Sequence, residues 1–143
     1  MFGLTGPNNG SDATGSIDEG VLKSEDGKKF IDVTINKRYI TLGPVANLIG
    51  LAFKVNDPSG LLENGEEGVT VALIEHDHPG LEQNTHHNPL NVGFPNGTLK
   101  GRLRIPVEAV IGGEKNIGHG WKMLMECLAA GRGICLPATA KAS

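Results

Sequence analysis

Two short segments hold side chains that could do chemistry together. Thr5-Gly6-Pro7-Asn8-Asn9-Gly10-Ser11-Asp12 is a polar turn in which Thr5 and Ser11 offer hydroxyls and Gly10 lets the backbone approach a ligand closely. Tyr39-Ile40-Thr41 places an aromatic ring two residues before a threonine hydroxyl. In a strand, residues two apart point to the same side, so one strand can present both a stacking surface and a donor. The plainer alternatives are turn chemistry in a solvent loop, a core aromatic at Tyr39, and at Thr41 a residue of good β propensity.

Other chemistry-bearing residues form weaker patterns. His76-Asp77-His78 and His86-His87 offer imidazoles, but no cysteine or glutamate completes a metal-ligand spacing, so they are read as solvated surface and no metal site is assigned. Cys127 and Cys135 form no Cys-x-x-Cys pair and have no paired histidine or basic flank, which reads as inert. Trp121, Leu124 and Met125 are spaced as the buried stripe of a helix.

The elements that must position these residues are mostly strands. At 143 residues the chain can bury one core of its own. With 13 Lys and Arg against 16 Asp and Glu, no basic stripe points to nucleic acid. The 21 glycines follow no collagen-like period and suit a turn-rich β fold. The longest apolar run, 45–55, is interrupted by Asn47, Gly50 and Lys54 and is no membrane span. Two unpaired cysteines and no secretory signal point to a reducing cytosol.

Asp26-Gly27 between Val21–Lys23 and Phe30–Ile35 is a hairpin signal. Further strands are predicted at Arg38–Thr41, at Val45–Val55 with Gly50 as a bulge, and at Val69–Ile74. His76–Gly97 reads as irregular. Thr98–Ile105 alternates Leu99, Gly101, Leu103 and Ile105 against polar residues, which predicts a strand buried on one side. After a short segment at Val107–Ile111, residues 121–130 have helical spacing, and Pro137 opposes continuation of that helix. The fold class predicted is mainly β: an antiparallel barrel or sandwich of about seven or eight strands with a C-terminal α-helix.

These segments, in this order, resemble the middle domain of the acyl-CoA dehydrogenase family. Thr5-Gly6-Pro7-Asn8-Asn9-Gly10-Ser11-Asp12 is similar to the family's Thr-Glu-Pro-x-x-Gly-Ser-Asp loop, and Tyr39-Ile40-Thr41-Leu42-Gly43 to its Trp-Ile-Thr-Asn-Gly. Ile105-Pro106, Ile111-Gly112 and Gly118-His119-Gly120 look like a third family region. The stretches at 87–97 and 127–133 resemble the large bacterial fatty-acid β-oxidation enzyme of the family. Gly6 replaces Glu, Tyr39 replaces Trp, and Leu42-Gly43 replaces Asn-Gly; the tyrosine keeps an aromatic face.

The resemblance implies FAD-dependent α,β-dehydrogenation of a fatty acyl-CoA thioester. It implies flavin contacts from Leu4, Thr5, Gly10, Ser11, Tyr39, Ile40 and Thr41, with Ser11 and Arg132 also on the CoA substrate. It implies a middle β domain at 1–116 and the start of a C-terminal helical domain at 117–143. An electron-transferring flavoprotein and a second subunit are the implied partners. No catalytic base is assigned: where some members carry a glutamate this chain has Gly131, and Glu126 does not match. Because the chain opens at the first signature, the expectation is a fragment of the enzyme, inactive alone. The alternatives are an acyl-CoA oxidase, or a non-catalytic β-barrel binding module.

Overall fold

The computed structural model describes every residue except Ser16, Asn64 and Ser143, and the side chains apart from those of Asn84 and Thr85 as well. The Asp26-Gly27 signal makes the hairpin expected of it. Both residues have positive φ, 51° and 77°, the mirror-image turn whose twist matches that of the flanking strands. It joins β2 (Glu19–Glu25) to β3 (Lys28–Thr41) in antiparallel register from Glu25↔Lys28. The strands predicted at Phe30–Ile35 and Arg38–Thr41 are thus one element. On its other side β3 pairs with β7 (Asn96–Pro106), which pairs with β6 (Leu81–His86). β6 lies within the stretch predicted irregular. Its sequence, Leu-Glu-Gln-Asn-Thr-His, is poor in strand formers, and its edge position does not require them.

β4 (Leu48–Asn56) pairs antiparallel with β5 (Gly68–Glu75) but parallel with β1 (Phe2–Gly3) and with β2. The seven-stranded sheet curls into a half-barrel and is mixed, which corrects the antiparallel expectation. The reason is a count of reversals. The chain turns back at Asp26-Gly27 and again between Thr41 and Leu48, so β4 returns in the direction of β2 and lies on its free edge.

The inner face holds the main core, including Leu22, Ile31, Val33, Ile35, Leu51, Phe53, Leu99 and Leu103. β4 is buried on both faces, because Ala52 joins Val71, Ile17 and Leu124 in a second cluster beneath the helix. Gly50 is no bulge: the β4–β5 register runs unbroken. A Cβ there would stand 2.9 Å from the Phe2 ring, so the missing side chain seats β1 against β4.

Helix α1 (Gly120–Ala142) packs its first turns through Trp121, Leu124 and Met125. It then runs on through Gly131, Gly133 and Pro137, against the sequence expectation. Pro137 forfeits one backbone hydrogen bond, but Ala138, Ala140 and Ala142 after it are the best of helix formers. Among the described residues, no helix is long and apolar enough to cross a membrane.

Candidate functional site

The two segments singled out in the sequence meet in the fold. β3 and β7 keep register as far as Lys37↔Leu99 and resume it at Ile40↔Gly97. Arg38 and Tyr39 therefore stand opposite a single residue, Thr98, as a β-bulge, and Tyr39 takes a positive φ of 62°. Bulges re-aim side chains. Here the Tyr39 ring is 60% exposed, Ile40 is buried in the main core, and Thr41 is exposed again. Tyr39 and Thr41 are thus exposed on either side of a buried Ile40.

The Thr5 loop docks on this bulge. The Arg38 N–H donates to the Thr5 carbonyl at 3.1 Å. Next to it the Gly6 N–H donates to Asn9 Oδ1, and Asn9 Nδ2 donates to the Ala13 carbonyl at 3.0 Å. Asn9 is buried, so a neutral amide holds the loop from inside. Gly10 and Ser11 are exposed, and a Cβ at Gly10 would meet nothing within 4 Å.

Beneath the loop lies Lys37, the one charged residue among the described residues that is fully buried. Its Nζ donates to the Leu4 carbonyl at 3.0 Å and pairs with Asp18 Oδ2 at 2.9 Å. Asp18 also accepts from the Asn36 N–H at 3.1 Å. Burial pushes the Lys37 ammonium below the ordinary lysine range, and the Asp18 carboxylate opposes that shift. The sequence carried a signal for Lys37: it continues the inward series Ile31, Val33, Ile35, where strand alternation calls for an apolar residue.

Around Tyr39 the structure adds residues that sequence reasoning missed. His87, read as solvated surface, is half-buried, with its ring centroid 5.0 Å from that of Tyr39 and tilted by 44°. Its Nε2 lies 2.8 Å from Thr98 Oγ1. The Arg38 guanidinium lies 5.4 Å from the Tyr39 ring centre. Arg38 Nε and Asn96 Oδ1 are buried without hydrogen-bond partners among the described residues, and Asn96 is the register partner of Thr41. Arg38 is the sequence neighbour of Tyr39, whereas His87 and Asn96 reach the site only through the pairing of β7 with β3 and β6.

Arg132 is not held with the others. It is exposed on α1, past Leu124, the last buried residue of that helix. Gly131 and Glu126 are exposed on the same helix, as are Cys127 and Cys135.

No family model matches the chain. Protein HemX of Proteus mirabilis is 40% identical over 139 residues, covering 85% of this chain and 82% of that protein. This chain and Protein HemX belong to one family. In Megasphaera elsdenii, acyl-CoA dehydrogenase, short-chain specific, is 29% identical over 92% of this chain and 32% of that protein. The butyryl-CoA dehydrogenase structure from that organism superposes with a TM-score of 0.70 at 26% identity, over 92% of this chain and 32% of that one. An acyl-CoA dehydrogenase from Bacillus anthracis, solved with FAD, shares the fold, with a TM-score of 0.61 at 21% identity over 76% of this chain and 18% of that one. The fold is that of the acyl-CoA dehydrogenases, the family that the sequence motifs resemble, and the chain spans about a third of the Megasphaera elsdenii relative.

Proposed function

We propose that this chain forms one wall of the flavin and thioester site in an FAD-dependent dehydrogenase of fatty acyl-CoA β-oxidation. The observation that carries this reading is the docking of the Thr5 loop on the Tyr39 bulge through Arg38 N–H and Thr5 carbonyl. It gathers an exposed ring, an exposed hydroxyl and a rigid loop backbone on one side of the half-barrel.

The residues fit such a group. Tyr39 offers ring surface to a planar heterocycle, and Thr41 offers a hydroxyl on the same side. The Thr5 N–H has no hydrogen-bond partner among the described residues. The orphaned Arg38 Nε and Asn96 Oδ1 lie on the bulge and beside Thr41, polar groups of the kind a bound ligand satisfies. Gly10 leaves open space beside Ser11 for a phosphate or a thioester chain.

In this assignment Leu4 and Thr5 bind the polar edge of the ring, Tyr39 holds its face, Ile40, whose side chain lies in the core, contributes backbone alone, and Thr41 donates to the ring. Ser11 contacts FAD phosphate or the CoA part of the substrate, and Arg132 contacts CoA. When bound, the flavin accepts the hydride from the β-carbon. The chain's own part is to orient that ring and to place donors where negative charge arrives. We divide the chain into a middle β domain at 1–116 and the opening of a helical domain at 117–143. The base, the opposite wall and a partner subunit come from elsewhere in the whole enzyme, and an electron-transferring flavoprotein takes the electrons. The 143 residues alone retain FAD weakly and turn nothing over.

The test is spectroscopic. The natural full-length protein purifies with a yellow chromophore that bleaches anaerobically on addition of a fatty acyl-CoA. A protein with no flavin and no bleaching sinks the reading.

A further inference from the structure

The Leu4–Thr5 peptide is held unequally at its two ends. Its carbonyl oxygen accepts from the Lys37 ammonium at 3.0 Å. Its N–H, on Thr5, has no partner among the described residues. The next peptide, Thr5–Gly6, is held at both ends, by the Arg38 N–H on its carbonyl and by Asn9 Oδ1 on its N–H. The Thr5 N–H is a backbone donor without a partner among the described residues, set between the engaged carbonyls of Leu4 and Thr5.

The cation on that carbonyl is costly to place. Lys37 has no exposed side-chain surface, and its stem packs beneath Gly3, in a strand whose other inward residues are apolar. Burying a charge is unfavourable unless it is paired and hydrogen-bonded. An apolar residue in its place would fill the same core. What the lysine adds is a full charge on one carbonyl oxygen, and such charge-assisted bonds are about twice as strong as neutral ones. Hydrogen bonds in a low-dielectric interior polarise one another, so a cation at the oxygen of a peptide makes its N–H a stronger donor.

We propose that Lys37, braced by Asp18, is a positioning residue that polarises the Leu4–Thr5 peptide so that the Thr5 N–H favours an electron-rich ring edge. The ligand class is a planar heteroaromatic cofactor whose edge gains negative charge on reduction. The identity of that cofactor as a flavin rests on the functional reading above. The polarisation itself does not.

Two variants separate this role from a structural one. Lys37→Met keeps an unbranched stem and removes the cation. Lys37→Met with Asp18→Asn removes both charges at once, and the asparagine oxygen can still accept from the Asn36 N–H. In protein labelled with 15N-threonine, the Thr5 amide proton moves upfield in the double variant, while Thr34 and Thr70, in the strand ladders, keep their shifts. In the natural full-length protein the bound flavin becomes harder to reduce. A tenfold loss in the preference for reduced over oxidised flavin reads as a potential lower by about 30 mV for a two-electron couple.

An unmoved Thr5 resonance in the double variant overturns the proposal, and so does a moved resonance with an unchanged flavin potential. Should Lys37→Met unfold, the loss of all threonine dispersion reports it, and the double variant decides. A wild-type protein that holds no flavin defeats the functional reading instead, and the Thr5 resonance then decides polarisation by itself.

Discussion

The two halves of β3 follow different rules. From Ile31 to Lys37 the strand alternates, with Ile31, Val33 and Ile35 inward, and it pairs with β7 without a break. From Arg38 to Thr41 the register slips, Tyr39 takes a left-handed backbone conformation, and polar atoms on Arg38 and Asn96 lack partners. The first half obeys what stabilises a sheet. The second departs from it in three ways within four residues, at the place where the Thr5 loop docks. Irregularity of this kind persists only when the surroundings hold it in place, and it gathers at ligand sites. Lys37 is the hinge between the halves: by register it belongs to the regular stretch, and by its contacts to the site.

Substitution should separate the halves. Ile31→Ala, in the regular half, removes a fully buried side chain and is expected to cost about 2–5 kcal/mol. Denaturant titration measures this, and in the full-length protein the flavin spectrum of the folded fraction is expected to stay as in the wild type. Tyr39→Gly, in the irregular half, should do the reverse. A left-handed non-glycine residue carries about 1–2 kcal/mol of strain, and glycine returns part of that gain as unfolded-state entropy. The variant is expected to be up to about 1 kcal/mol more stable and to bind flavin less tightly. Lower stability together with unchanged flavin affinity would make Tyr39 an ordinary strand residue. Thr41→Ala lies on the exposed side of the same half, so its stability should stay within about 0.5 kcal/mol of wild type. Flavin reduction should slow by about tenfold to a hundredfold, the range for losing one preorganised donor. Stopped-flow reduction at an unchanged rate would remove Thr41 from the site.

The same division governs how much was legible in the sequence. The regular parts were readable because their signals are local. Asp26-Gly27 fixes the hairpin, and the alternation through Leu99, Leu103 and Ile105 fixes β7. The spacing of Tyr39 and Thr41 said only that they share a side of a regular strand, not that this side is outward. The bulge did not, because a register slip is decided by the partner strand and not by residues 37–41 themselves. His87 and Asn96 join the site only through β6 and β7, and β6 was itself hidden by its polar composition. Lys37 was legible in pattern, as a lysine in an inward series, but its contacts with Leu4 and Asp18 span separations that no local rule covers. The helix was found, but its passage through Pro137 was not, since local propensity after the proline outweighed the break.

Acid should divide the molecule in the same way, because its two ends hold their loops with different groups. At the site, the Gly6 N–H is tied to Asn9, an amide that does not titrate, although the Leu4 carbonyl before it rests on the Lys37–Asp18 pair. At the far end of β4, the turn after Asn56 is tied by the Asp57 carboxylate, which accepts from the Leu62 N–H at 2.8 Å. Backbone N–H groups, that of Leu61 foremost, hold the Asp57 carboxyl below the ordinary aspartate range. A carboxyl with a lowered pKa in the folded state stabilises the fold above its unfolded value, about 3.9, and that contribution is lost as pH falls through the folded value. As pH drops below about 4, the Leu62 amide is therefore expected to lose hydrogen-exchange protection while the Gly6 amide on Asn9 keeps its own. Asp57→Asn should flatten the acid side of the Leu62 profile and leave Gly6 unmoved. Loss of protection at both amides at one pH would mean that the two ends open as a single unit, and the contrast between them would not extend to their loops.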